Sequence, residues 1–149
     1  MNDRAIRKGT DPVQAGSGER ARVRTIVLVV EDDAVLSDSL LTLLEEEGYA
    51  AIAVTKLAAA REVIAEKRPS VVLLDLTLEG EFGADLLIDL ADDPDAPATV
   101  IISAFRLASM IGQRYDVDVI HKPFDVDDVI ARIRKAEAAR RRPRRPSEF

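Results

Sequence analysis

Val71-Val72-Leu73-Leu74-Asp75-Leu76-Thr77-Leu78 is the stretch on which the reading of this chain turns. Four consecutive apolar residues run into a single carboxylate, and the chain then loosens through Glu79-Gly80-Glu81-Phe82-Gly83. A short all-apolar run bounded by Pro69 and Gly80 fits a strand buried on both faces, as in a parallel sheet. Asp75 then stands at the carboxyl end of that strand, where open α/β sheets bind their ligands. A strand that merely ends in an acidic loop residue explains the stretch equally well. The other acidic residues have to decide.

Upstream, Thr25-Ile26-Val27-Leu28-Val29-Val30 is a β-branched apolar run that reads as a strand and ends in Glu31-Asp32-Asp33. Ala34 to Glu47 carries Leu36, Leu40, Leu43 and Leu44 at helical spacing, with Gly48 just past the helix end. Tyr49 to Val54 reads as a strand. Thr55 is placed to cap a helix with apolar Leu57, Ala60, Val63 and Ile64, stopped before Pro69. Downstream, a helix is expected over 84–91, a loop over 92–97, and a strand over Thr99 to Ile102 that ends at Ser103. Residues 104–116 suggest only a short, poorly patterned helix. Val117 to Ile120 reads as a strand, followed by His121-Lys122-Pro123-Phe124. Asp125 is the expected N-cap of a last helix with Val126, Val129, Ile130 and Ile133 on one face. Strands alternating with helices imply βαβ units with right-handed crossovers. The expected fold is α/β, a doubly wound, five-stranded parallel sheet. Such a fold gathers its strand ends on one rim, so Glu31, Asp32, Asp75, Ser103 and Lys122 should converge.

Composition bounds the function. A chain of 149 residues suits one domain with tails, expected as an extension over 1–24, a folded domain over 25–139 and a basic tail over 140–149. There is no cysteine, which excludes disulfides and thiolate metal sites. No apolar stretch approaches the roughly 20 residues of a membrane span, and the polar N-terminus lacks the apolar region of a secretory signal. A soluble, cytoplasmic protein is the expectation. Residues 25–130 hold seven basic and 22 acidic residues, a local charge of −15, while both ends are basic. An acidic centre argues against nucleic acid binding by the folded part and fits a divalent cation site. The 1–24 and 140–149 segments, polar and arginine-rich respectively, are expected to be disordered.

Residues 25–139 resemble the receiver domain of bacterial response regulators, a (βα)5 fold. The resemblance rests on Ile26-Val27-Leu28-Val29-Val30-Glu31-Asp32-Asp33, Leu73-Leu74-Asp75-Leu76, Gly80 and Gly83, Ile101-Ile102-Ser103-Ala104 and Lys122-Pro123-Phe124, in order. It implies a two-component phosphorelay protein, a phosphoacceptor rather than a conventional enzyme. Asp75 takes a phosphoryl group from the phosphohistidine of a sensor histidine kinase or a histidine phosphotransfer protein. Carboxylate nucleophiles of this kind form acyl phosphates. Because donor and acceptor are both anionic, a cation must neutralise the approach. Mg²⁺, with its preference for a few carboxylates, waters and phosphate oxygens, suits that task. The resemblance assigns its ligands as Glu31, Asp32, Asp75 and the backbone carbonyl of Thr77, and leaves Asp33 outside. It gives Ser103 the hydroxyl that binds a phosphoryl oxygen, Ala104 the small neighbour that leaves room, and Lys122 the ammonium that pairs with the phosphoryl charge. It also implies a cis Lys122–Pro123 bond. His121 reads as a partly exposed strand residue.

Three departures stand out. Glu79 occupies a position usually held by proline, which should loosen the loop after Asp75. Val119 stands where an aromatic residue commonly couples to the hydroxyl group; Phe105 and Tyr115 are candidates to replace it. The segment from Ser103 to Lys122 is a few residues shorter than usual, implying a truncated fourth helix. The expected protein is a stand-alone receiver that signals by binding an unknown downstream protein, with homodimerisation a further expectation. The alternative is a pseudo-receiver, an interaction module independent of phosphorylation. A dehalogenase-type phosphatase would need a second aspartate where Thr77 stands.

Overall fold

The structure, a computed structural model, describes residues 6–8 and 24–141. The strands are β1 (Ile6–Lys8), β2 (Ile26–Val30), β3 (Ala50–Val54), β4 (Val71–Leu74), β5 (Thr77–Leu78), β6 (Glu81–Phe82), β7 (Ala98–Ser103) and β8 (Asp118–His121). The helices are α1 (Ala34–Glu46), α2 (Leu57–Lys67), α3 (Ala84–Leu90), α4 (Ala108–Tyr115) and α5 (Val126–Arg141). The main sheet runs in the order β1-β3-β2-β4-β7-β8. Its last five strands are all parallel, which is the doubly wound α/β architecture the alternation implies.

The apolar runs become central strands because both faces of the sheet are covered. Side chains alternate along each strand. Val27, Val29, Val71, Leu73, Val100 and Ile102 face one layer with Leu40 and Leu44 of α1 and Val129 and Ile133 of α5. Leu28, Val30, Val72, Leu74 and Ile101 face the other, with Leu57 and Val63 of α2, Leu86 and Leu87 of α3 and Ala108 of α4. Leu28, Leu73, Leu74 and Ile101 are wholly inaccessible, so each contributes on the order of 1.5–3 kcal/mol of hydrophobic stabilisation.

Local expectations meet the structure unevenly. The Asp33 carboxylate caps α1 by accepting the Val35 and Leu36 N–H groups, and Gly48 follows the helix end at φ +95°. The Asp125 carboxylate accepts the Asp127 N–H at the start of α5. Thr55 does not cap α2: the N-cap is Lys56, which makes no side-chain cap bond. Its task falls to Glu81, whose carboxylate accepts the Leu57 N–H. β1 was not legible either; Ile6–Lys8, inside the segment expected to be disordered, pairs antiparallel with Ala50–Val54 at the sheet edge. Residues 1–5, 9–23 and 142–149 lie outside the described residues, and so do most of both expected tails. Arg140, assigned to the tail, belongs to α5.

Candidate functional site

The sheet itself carries the site residues to one rim. Register aligns Val30 with Val54 and Leu74, and Leu74 with Ile101. The hydrogen-bond ladder then runs one step further. Glu31 N–H donates to Val54 O, Asp75 N–H to Val30 O and Lys122 N–H to Ser103 O, each at 3.0 Å. Three predicted site residues are therefore fixed by backbone bonds to neighbouring strands, which holds their side chains far better than a free loop would. The Lys122–Pro123 bond that follows β8 is cis, as expected.

Among the described residues, Glu31, Asp32 and Asp75 each bring a carboxylate oxygen within 4.8 Å of the others. Glu31 and Asp75 are buried, at 1% and 4% exposure, and Asp32 is half-buried. The Lys122 ammonium bridges the buried pair, donating to Glu31 Oε1 at 2.6 Å and to Asp75 Oδ2 at 3.0 Å. Asp75 Oδ1 accepts the Thr77 N–H at 3.0 Å, and Asp32 Oδ2 accepts the Glu79 N–H at 2.6 Å. Ser103 is fully buried, and its Oγ accepts the Phe105 N–H at 3.0 Å. That bond leaves its hydroxyl proton available to an acceptor. Asp33 spends its carboxylate on capping α1 and is not in the cluster.

Electrostatics describe an incomplete balance. Burial pushes the Glu31 carboxyl up to about 7 against the Lys122 hydrogen bond, and the neighbouring Asp75 adds to the rise. Burial alone would lower Lys122, but its bonds to Glu31 and Asp75 outweigh that and raise it. Three carboxylates face one ammonium, and a buried carboxylate without full compensation is costly. The residues thus fit a hard dication: an all-oxygen donor set, net negative, with one member whose charge burial disfavours.

The loop after Asp75 is not loose. Thr77–Leu78 and Glu81–Phe82 pair antiparallel, with Glu79 and Gly80 as the turn and Gly80 at φ +73°, a conformation that suits glycine. Glu79 in place of proline is what supplies the N–H that Asp32 accepts, since proline has none. Gly83 closes the loop against the site strand. A Cβ there would collide with the Asp75 carbonyl oxygen and lie 2.9 Å from Leu76 Cα, while its N–H donates to Leu76 O at 2.7 Å.

A model of the response regulator receiver domain family matches residues 27–134. The chain belongs to that family. This receiver domain is 34% identical over 112 residues to the sensory transduction protein RegX3 of Mycobacterium tuberculosis, covering 74% of the chain and 49% of the relative. It is 36% identical over 115 residues to the transcriptional regulatory protein KdpE of the same organism, covering 75% and 50%. The chain thus spans about half the length of these relatives. A CheY-like receiver domain protein from Methanospirillum hungatei superposes with a TM-score of 0.72 at 21% identity, over 79% of this chain and 97% of that one. A sensor protein from Polaromonas has the same TM-score at 26% identity, over 79% and 99%.

Two of the departures from the family pattern fall on α4 and β8. Val119 on β8 sits against α4 at Gly112, where a Cβ would strike the Val119 side chain and lie 2.9 Å from Val117 O. α4 is only eight residues long, in keeping with the shortened segment. Phe105 does not take the place of the missing aromatic beside β8. Its ring meets Phe82 of the hairpin edge-on, with centroids 5.5 Å apart. Tyr115 ends α4 and is half-buried on the α2–α3–α4 face. His121 is exposed at the end of β8, its Nε2 2.9 Å from Ser109 Oγ. Two contributors escaped the sequence reading, Glu81 and the Phe82–Phe105 pair. Lys56, a poor capping residue before a helix, was the only local hint of the first.

Proposed function

We propose that this receiver domain accepts a phosphoryl group on Asp75 from the phosphohistidine of a histidine kinase or phosphotransfer protein and passes the signal to a further protein by contact. The observation that carries the reading is the Lys122 bridge: one ammonium spans Glu31 and Asp75 beside Asp32, at the sheet's carboxyl rim. Glu31, Asp32, Asp75 and the Thr77 carbonyl would hold Mg²⁺, which supplies positive charge between an anionic donor and an anionic acceptor.

The protein's own groups divide the remaining work. An Asp75 carboxylate oxygen attacks phosphorus, the P–N bond to the donor imidazole breaks, and the electron pair leaves with that nitrogen. Lys122 is already at Asp75 Oδ2 and is placed to pair with the incoming phosphoryl oxygens. Ser103 donates its free hydroxyl proton to another. Ala104 adds no side chain beyond a methyl group beside it. The backbone bonds to β2 and β3, together with the Thr77 N–H, keep Glu31 and Asp75 oriented, so positioning and electrostatics supply most of the rate.

The rival reading, an interaction module that needs no phosphate, draws on the same bridge, since Lys122 already offsets two buried carboxylates. Asp32 and the raised Glu31 weigh against it, because one ammonium leaves the cluster anionic. Incubation with a small acyl phosphate donor and Mg²⁺ tests the proposal. The wild type should gain one hydroxylamine-labile phosphoryl group and Asp75→Asn none. A wild type that gains no label, or an Asp75→Asn variant labelled as strongly, refutes it.

A further inference from the structure

The β5–β6 hairpin lies beside the site but is anchored to the scaffold away from it. Glu81 Oε2 accepts the Leu57 N–H at 3.0 Å across 24 residues of sequence. Leu57 opens α2, whose N-cap Lys56 offers no side-chain acceptor. Glu81 therefore satisfies a helix-start N–H that the local sequence leaves open, with its negative charge at the positive end of the helix. α2 is seated on the sheet through buried Leu57, Ala60 and Val63. Through Glu81 the hairpin shares that footing.

The opposite side of the hairpin touches the carboxylates. Glu81 pairs with Leu78 and Phe82 with Thr77. The Glu79 N–H in the turn donates to Asp32 Oδ2, and the Thr77 N–H donates to Asp75 Oδ1. One hairpin backbone thus orients two of the three clustered carboxylates. Glu81 is outside that cluster and has no direct bond to it.

We propose that Glu81 is a positioning residue for the cation: by holding the hairpin on α2 it aims the Glu79 and Thr77 backbone groups at the Asp32–Asp75 site and so sets Mg²⁺ affinity. The inference rests on the reading that this cluster holds Mg²⁺. Two substitutions separate geometry from charge. Glu81→Asp keeps the charge and withdraws the reach; Glu81→Gln keeps the reach and loses the charge.

Mg²⁺ titrations followed by amide NMR, with melting temperatures alongside, provide the test. Glu81→Asp should weaken Mg²⁺ binding about threefold to tenfold, somewhat less than the roughly 10–100-fold for groups bonded directly to a ligand. The Glu79 and Thr77 amides should be shifted before any Mg²⁺ is added. Glu81→Gln should bind Mg²⁺ as wild type does, because its amide oxygen can still accept the Leu57 N–H. If Glu81 only caps α2, Glu81→Asp melts earlier but binds Mg²⁺ as wild type does, and the proposal fails. It also fails if Glu81→Gln is the weaker binder, because charge rather than placement then sets the affinity. A wild type that binds no Mg²⁺ overturns the parent reading as well.

Discussion

Replacing Lys122 by Met retains most of its apolar stem but removes the charge between two buried carboxylates. Glu31 and Asp75 are then left facing each other at 1% and 4% exposure. Removing one partner of a buried ion pair can cost about 3–5 kcal/mol, but Glu31 can escape part of that by taking up a proton. Glu31 already titrates near 7 with Lys122 in place. Loss of the ammonium raises it further, so at pH 8 the variant must bind a proton that the wild type does not. That uptake costs about 1.4 kcal/mol for each pH unit above 7. With the lost hydrogen bonds to Glu31 and Asp75 added, the expected deficit at pH 8 is about 2–3 kcal/mol.

The sign of the pH dependence follows from the direction of the shift. A carboxyl raised on folding stabilises fully below its unfolded value, and that stability is lost as pH climbs through the folded value. In the variant the folded value is higher still, and ionised Glu31 has no partner. The stability gap between variant and wild type should be smaller at pH 5.5, where Glu31 is protonated in both and only the lost hydrogen bonds remain, and should widen as pH passes 7. Saturating Mg²⁺ should narrow the gap at pH 8. Urea denaturation at the two pH values, with and without Mg²⁺, measures this. A deficit that is the same at both pH values and indifferent to Mg²⁺ would refute the charge argument.

Three further outcomes are expected. In the wild type, Mg²⁺ must compete with the proton on Glu31, so the rise in melting temperature at fixed Mg²⁺ should be larger at pH 8 than at pH 6; calorimetry at both values checks this. Gly112→Ala should destabilise by about 1–3 kcal/mol, the usual cost of overpacking, because its methyl meets Val119 and the Val117 carbonyl; adding Val119→Ala should recover part of the loss in the same denaturation assay. Leu73→Ala should cost about 2–5 kcal/mol, since Leu73 is wholly inaccessible between α1 and α5, and equilibrium unfolding should show it with the Mg²⁺ affinity of the remaining folded protein unchanged.

Much of the fold could be read from residue pattern because buried parallel strands must be apolar on both faces. Val27–Val30, Val71–Leu74 and Val100–Ile102 carry that pattern, and the strand ends then dictate where Glu31, Asp75 and Lys122 meet. The features that escaped are those set by a distant partner. Ile6–Lys8 has no apolar pattern of its own and forms a strand only against Ala50–Val54. Glu79-Gly80 looked like a loosened loop, yet a two-residue turn can close when flanking residues pair and an acceptor such as Asp32 takes the turn N–H. Thr55 has the right chemistry for a cap, but the helix starts one residue later and finds its acceptor on Glu81. Local propensity proposes such details, and tertiary contacts decide them.

The identity of the phosphoacceptor can be read directly by chemistry. Borohydride reduction of the protein after phosphotransfer, followed by peptide mass mapping, marks the residue that carried an acyl phosphate. A single reduced position is expected at Asp75, absent without Mg²⁺ and absent in Asp75→Asn. Reduction at another carboxylate, or none under conditions where the donor is consumed, would contradict that role for Asp75.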